Sequence, residues 1–223
     1  MRQQAIIIGL GQFGMSLART LTEHHVEVIA VDVRPDRVQE ASVFATQALT
    51  MDATAETELA SLDPGSRNLC ICAIGDDARE ASILVTALLR QYGAKRIISR
   101  ASDALLERIL HLVGASDVVN PERAFGERYA RRLLYNDLVA EVPLGDDLIL
   151  SEMRPRPAMV GHSLVSLALP RRFGLTVLAI RTGGEGAGAG QVKPPEPNRA
   201  LDASDILIVV GPPGAVAALH EQW

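Results

Sequence analysis

The stretch IIIGLGQFGMSLARTL, residues 6–21, constrains the fold more than any other part of the chain, because it joins an apolar run to three glycines and then to an amphipathic helical pattern. Gly9, Gly11 and Gly14 are spaced G-x-G-x-x-G. In that arrangement the first glycine permits a tight strand-to-helix turn. The second lets backbone approach a pyrophosphate, and the third lets the helix pack close to the sheet. Phosphates then meet the unpaired N–H groups and the positive dipole end of the helix.

The context strengthens the motif. Asp32 closes the next apolar run, VEVIAVD, eighteen residues beyond Gly14, near the spacing of roughly 20 at which an acid receives ribose hydroxyls. A carboxylate there repels a 2′-phosphate and disfavours NADP, while Arg34 two positions on pulls the other way. Asp52 closes the third run and is read either as the border of an adenine pocket or as a solvated turn acid opening a helix at Thr54. Gly75, followed by Asp76 and Asp77, lies at the carboxyl edge of the fourth run, where open α/β sheets bind ligands; one of the two acids is expected to N-cap the next helix.

Six short apolar runs, at 5–10, 26–32, 45–52, 68–75, 95–101 and 116–121, alternate with helical patterns at 12–24, 35–42, 55–62, 77–92 and 103–113. Near-continuous apolar strands alternating with helices predict a parallel sheet covered on both faces, a Rossmann-like, doubly wound α/β domain. Residues 121–136 open with Pro121 at a first helical position and carry Phe125, Tyr129, Leu133 and Leu134 at helical spacing, among Arg123, Arg128, Arg131 and Arg132. That helix is either a solvated basic face or a crossover toward another subunit or domain.

The pattern changes after Asn136. LVAEVPL, LILSEMR, LTVLAIRT and DILIVVG read as strands, and only 163–168 and 214–221 read as helices. The stretch TGGEGAGAGQVKPPEPN reads as a mobile loop with no packing face. The expected division is a nucleotide-binding domain at 1–136, including the helix from Pro121, and a small α+β module at 137–223.

Composition narrows the function. The formal net charge of −5 supplies no general basic field for nucleic acid, which argues against DNA binding. No window approaches the roughly 20 uninterrupted apolar residues of a membrane span, and MRQQ is not the start of a secretory signal, so a cytoplasmic protein is expected. Cys70 and Cys72 fall on one face of a strand and are read as buried small hydrophobes, not zinc ligands. None of the five histidines falls at a strand end of the nucleotide domain, and no nucleophile-elbow, zincin or P-loop pattern is present. The reading is therefore of a binding protein without a catalytic constellation, with a small NAD-dependent oxidoreductase as the alternative.

The helices at 77–92 and 103–113 are apolar most of the way round, more than a helix with one face in water requires. They are expected to bury a second face, either against another subunit or under the C-terminal module.

These segments resemble the RCK (regulator of K⁺ conductance, or KTN) proteins, with TrkA-N and TrkA-C parts, of bacterial Trk and Ktr potassium-uptake systems. The resemblance is carried by IIIGLGQFG, VIAVDVRPDRV, ALTMDAT, ICAIGDDAREASILVTALLR, RIISRASD, GASDVVNPERAFGERYARRL and LPRRFGLTVLAIRT, and it is closest to the single-repeat Ktr type. It implies a cytosolic gating ring, a homodimer assembling to an octamer, docked at the inner face of the membrane on a potassium channel or transporter subunit.

It further implies ATP, ADP or NAD(H) in the crevice. Phosphates would lie at Gly9, Gly11, Gln12, Phe13 and Gly14, ribose at Asp32 with Val33 and Arg34 beside it, and adenine near Asp52, Ala53 and Thr54. Ile74, Gly75 and Arg100 would complete the lining. Glu122 matches a carboxylate placed near the phosphates and the dimer interface, a candidate ligand for Mg or Ca, or else a residue that complements the helix dipole. Helices 77–92 and 103–113 would be assembly surfaces, and the helix from Pro121 would be exchanged within a dimer. Some Ktr-type relatives bind cyclic di-AMP in the C-terminal part, here near residues 171–181. The chain departs from the family at Gln12, where an arginine commonly reaches a γ-phosphate; discrimination of ATP from ADP would then need another arginine, such as Arg34 or Arg100.

Overall fold

The computed structural model describes residues 2–182 and 190–223, with the side chains of 131 and 132 left undescribed. The glycine-rich centre of the expected mobile loop, 183–189, and the Arg131 and Arg132 parts of the expected basic face therefore lie outside the described residues. The chain divides into two compact units, Met1–Ala124 and Phe125–Trp223.

The first unit is a six-stranded, wholly parallel sheet of β1 (Gln4–Ile8), β2 (Glu27–Asp32), β3 (Gln47–Thr50), β4 (Leu69–Cys72), β5 (Ile97–Arg100) and β6 (Asp117–Val119), in the order β3-β2-β1-β4-β5-β6. The helices are α1 (Gln12–Glu23), α2 (Pro35–Ala41), α3 (Glu56–Ser61), α4 (Arg79–Gln91) and α5 (Ala104–Leu112). Both faces of β1 are buried, which explains its unbroken isoleucines: Ile6 and Ile8 pack with Leu59, Val85 and Leu89, while Ile7 packs with Ala18, Val38 and Ala41. Strand order reverses on either side of β1, and that is where a doubly wound sheet opens a crevice. Cys70 and Cys72 are buried in the Ile6 cluster as free thiols.

Neither Asp76 nor Asp77 N-caps α4, contrary to expectation. Residues Asp76–Ala78 form a single 3₁₀ turn, Ala78 takes the N-cap position of α4, and no side chain caps it. Gly75 ends β4's loop in an extended conformation, so the acids fall inside that turn and not one residue before the helix. On the outer surfaces, Leu84 of α4 is 45% exposed, and Leu105 and Leu112 of α5 are 65% and 85% exposed. The sheet-facing Val85, Leu88, Leu89, Leu106 and Leu110 are buried. Helix α6 (Pro121–Leu134) follows β6, with Asn120 Oδ1 accepting the Arg123 N–H at 2.9 Å, and it exposes Phe125, Tyr129, Leu133 and Leu134.

The second unit holds a five-stranded antiparallel sheet of β7 (Leu138–Pro143), β8 (Ile149–Met153), β9 (Thr176–Thr182), β10 (Gln191–Lys193) and β11 (Ile206–Gly211), ordered β10-β9-β11-β8-β7. With it go α7 (Leu164–Leu167), α8 (Leu169–Phe173) and α9 (Ala215–Gln222). Met153, Ile180, Leu207 and Val209 of the sheet pack with Leu167, Leu169 and Leu219 of the helices. Two of these elements differ from the sequence reading. Gln191–Lys193, expected as loop, pairs with Thr182, Arg181 and Ile180 as an edge strand. Helix α8 is a separate short helix, set off from α7 by Ala168 in the left-handed region at φ 48°. Among the described residues, no helix is long and apolar enough to cross a membrane.

Candidate functional site

The site begins where β1 turns into α1. Gly9 sits at φ +93°, and a Cβ there would fall 2.9 Å from the Ile74 backbone nitrogen. A Cβ at Gly14 would fall 1.9 Å from the Gly9 carbonyl oxygen, so α1 packs against the turn itself. Gly11 differs: it is extended, and a Cβ there would meet only Arg37 Nη1, at 3.9 Å. One glycine serves the turn, one serves close packing, and the middle one leaves open space above the start of α1. The first intrahelical bond of α1 runs from the Met15 N–H to the Gly11 carbonyl at 2.9 Å, so the N–H groups before Met15 precede the helical ladder.

Asp32, at the carboxyl end of β2, is buried and holds this turn in place. Its Oδ2 accepts the Leu10 backbone N–H at 2.6 Å and its Oδ1 accepts the Arg34 N–H at 2.9 Å. Arg37 Nη1 stands 3.6 Å from Oδ2. A carboxylate has about four lone-pair sites, so acceptor capacity remains where Asp32 borders the crevice.

The crevice has a volume of about 350 Å³. Of the residues expected from sequence, the structure brings together Gly9, Gly11, Asp32, Val33, Arg34, Asp52, Ala53, Thr54, Ile74, Gly75 and Arg100 around it. Ile8, Val31, Met51, Ala73 and Val85 add an apolar floor, and Asp77 and Arg37 reach the rim. Gln12, Phe13 and Gly14 lie outside this lining. Gln12 borders an adjoining groove with Met15, Ser16, Arg19, Arg37 and Glu40, Phe13 packs into the Ile7 cluster, and Gly14 is taken up by the contact with Gly9.

Polar partners are set before any ligand arrives. Asp52 Oδ1 accepts both the Thr54 N–H at 2.9 Å and the Thr54 hydroxyl at 2.7 Å, and these bonds hold its carboxyl below the usual range. Because α3 starts at Glu56, Asp52 braces a turn that also borders the crevice and does not open a helix at Thr54. Arg34 forks onto Asp36 at 3.2 and 2.6 Å, and Arg100 Nη2 donates to Glu122 Oε1 at 2.6 Å. Glu122 thus faces a guanidinium, and among the described residues no group of three His, Cys, Asp or Glu side chains is placed to hold a metal ion. In the segment expected for cyclic di-AMP, Arg181 is paired with Glu152 at 2.7 and 3.1 Å and Arg172 lies over the Trp223 ring at 4.2 Å.

This arrangement can receive a flat apolar group against the floor, hydroxyls at Asp32 and an anion above Gly11. Sequence reasoning missed Arg37, which is the third residue of α2 and not at a strand end.

Comparison with known proteins agrees with this architecture. Residues 5–121 match the TrkA-N domain and residues 148–222 the TrkA-C domain. The chain is 34% identical over 215 residues to "Ktr system potassium uptake protein A" of Vibrio alginolyticus, covering 96% of this chain and 95% of that protein. It is 32% identical over 211 residues to "Ktr system potassium uptake protein C" of Bacillus subtilis, covering 95% and 93%. Among solved structures, the GsuK channel bound to NAD superposes with a TM-score of 0.65 at 19% identity, over 99% of this chain and 39% of that one. The chain thus spans about two fifths of that channel's length, and at this identity the likeness is one of fold.

Proposed function

The chain belongs to the RCK-type TrkA-N/TrkA-C family that includes the Ktr potassium-uptake proteins, and from that premise we propose that it is a nucleotide-sensing regulatory subunit of a membrane potassium channel or transporter. The observation that carries this reading is the crevice itself: a braced glycine turn, a buried carboxylate at the end of β2 and an apolar floor, in a chain similar along nearly its whole length to Ktr proteins.

In this reading the protein works in the cytoplasm, peripheral to the membrane through its partner. An adenine nucleotide, ATP, ADP or NAD(H), lies with its ribose at Asp32 and its phosphates above Gly11. The protein acts by binding and not by catalysis: a ligand that prefers one of two arrangements of the assembly shifts the population toward it. Residues 1–136 form the sensing part and 137–223 the C-terminal part. The exposed Leu84, Leu105 and Leu112 support assembly into dimers and an octameric ring, since apolar side chains of this kind mark protein contacts. A divalent cation at Glu122 would require further donors from a second copy.

Light scattering of the full chain with and without ATP, ADP, NAD or cyclic di-AMP tests this reading. It predicts a homo-oligomer at micromolar concentration whose mass or hydrodynamic radius changes with an adenine nucleotide. A monomer indifferent to every ligand, or steady turnover of NADH absorbance with a small substrate, would overturn it.

A further inference from the structure

Three arginines line the crevice, and their partners separate them. Arg34 is forked onto Asp36, and Arg100 is bonded to Glu122. In the adjoining groove, Arg19 lies over the Phe44 ring at 4.4 Å. Arg37 is the exception. Its nearest anionic partner is Asp32 Oδ2 at 3.6 Å, beyond hydrogen-bond range, and its guanidinium makes no hydrogen bond to any described residue. The side chain is 38% exposed and borders both the crevice and the Gln12 groove.

Its position is as informative as its unused hydrogen-bond donors. Arg37 Nη1 is the one atom near the open side of Gly11, 3.9 Å from where a Cβ would stand, above the start of α1. Asp32 holds the guanidinium over that space without engaging its donors. A planar fork of five N–H groups so placed suits phosphate oxygens better than hydroxyls or a base.

We propose that Arg37 is the phosphate-recognising cation of this site, gripping the 5′-phosphate of a nucleoside phosphate or dinucleotide from within the same chain. The proposal rests on the nucleotide reading above and deepens it. Gln12 carries no charge, and Arg37 supplies the charge-assisted contact at the glycine turn. Recognition then centres on the phosphate nearest the ribose, a group that AMP, ADP and NAD share.

Isothermal titration of the full chain with adenosine, AMP, ADP, NAD and NADP, on the wild type, Arg37→Gln and Arg37→Lys, tests this. Arg37→Gln is expected to weaken AMP, ADP and NAD by about tenfold or more while adenosine stays within about twofold. Arg37→Lys keeps the charge without the fork and is expected to fall between. Unchanged AMP, ADP and NAD affinities would overturn the proposal. So would a parallel loss of adenosine, which would mean that Arg37 acts only through the Asp32 turn, or a loss confined to NADP, which would place the arginine on a 2′-phosphate. If the wild type binds none of the five, nor ATP or NADH in the same titration, the nucleotide reading itself fails.

Discussion

Asp32 and Leu10, twenty-two positions apart, are joined beneath the glycine turn: the buried carboxylate accepts the Leu10 N–H at 2.6 Å while its other oxygen accepts the Arg34 N–H at 2.9 Å. The residue expected to meet a ribose therefore also fixes the loop expected to meet the phosphates. Asp32→Ala should lower the stability of the ligand-free protein by about 1–3 kcal/mol, since it leaves the buried Leu10 N–H donor without a partner. Urea unfolding without ligand checks this, and wild-type stability in the variant would confine Asp32 to ligand contact.

The glycines of the turn should respond unequally. Gly14→Ala drives a Cβ against the Gly9 carbonyl and forces α1 off the turn, so poor expression or a large fall in melting temperature is expected. Gly11→Ala places its methyl in open space at an extended φ of −66°, and the variant should fold with near wild-type stability while losing room for an approaching phosphate. Thermal melts of the two variants side by side distinguish them.

Burial sets a pH dependence through the cysteines. The Cys70 thiol is pushed up to about 12 by desolvation, and the wholly buried Cys72 is raised for the same reason. An unfolded thiol deprotonates near pH 8.5. Above that pH the unfolded chain holds fewer protons than the native one, so these residues make stability fall as pH rises. The urea midpoint should drop between about pH 8 and pH 10, and less steeply in a Cys70→Ala, Cys72→Ala double variant. Equal slopes would show that other groups are responsible.

Leu105 and Leu112 are a heptad apart on α5 and both largely exposed. If they are covered by another copy, Leu105→Asp with Leu112→Asp should cut the oligomer to smaller species without lowering the helix content of the subunit. Sedimentation and circular dichroism on one preparation read both quantities. An unchanged mass would place the assembly contacts on another surface.

Most of the first unit was legible because its physics is local. Unbroken runs such as Ile6, Ile7 and Ile8 demand burial on both faces, and Asp32 and Gly75 follow from the ends of such runs. Arg37 was not legible, since its reach depends on how the first turn of α2 approaches the start of α1. Edge strand β10 has no apolar periodicity to read; Gln191, Val192 and Lys193 are all exposed and held by backbone pairing to β9. The Asp76 and Asp77 expectation failed because one 3₁₀ turn between Gly75 and Arg79 moves the helix start beyond their reach.

The proposed function requires an adenine nucleotide in the crevice between the glycine turn and Asp32. A thermal-shift titration of the full chain with ATP, ADP, NAD and NADH, run on the wild type and Gly11→Ala, tests it most directly, because a ligand that binds only the native state raises the melting temperature by mass action. Concentration-dependent stabilisation of the wild type is expected, with little or none of the folded Gly11→Ala protein. Equal stabilisation of both, or none of the wild type at millimolar nucleotide, would contradict it.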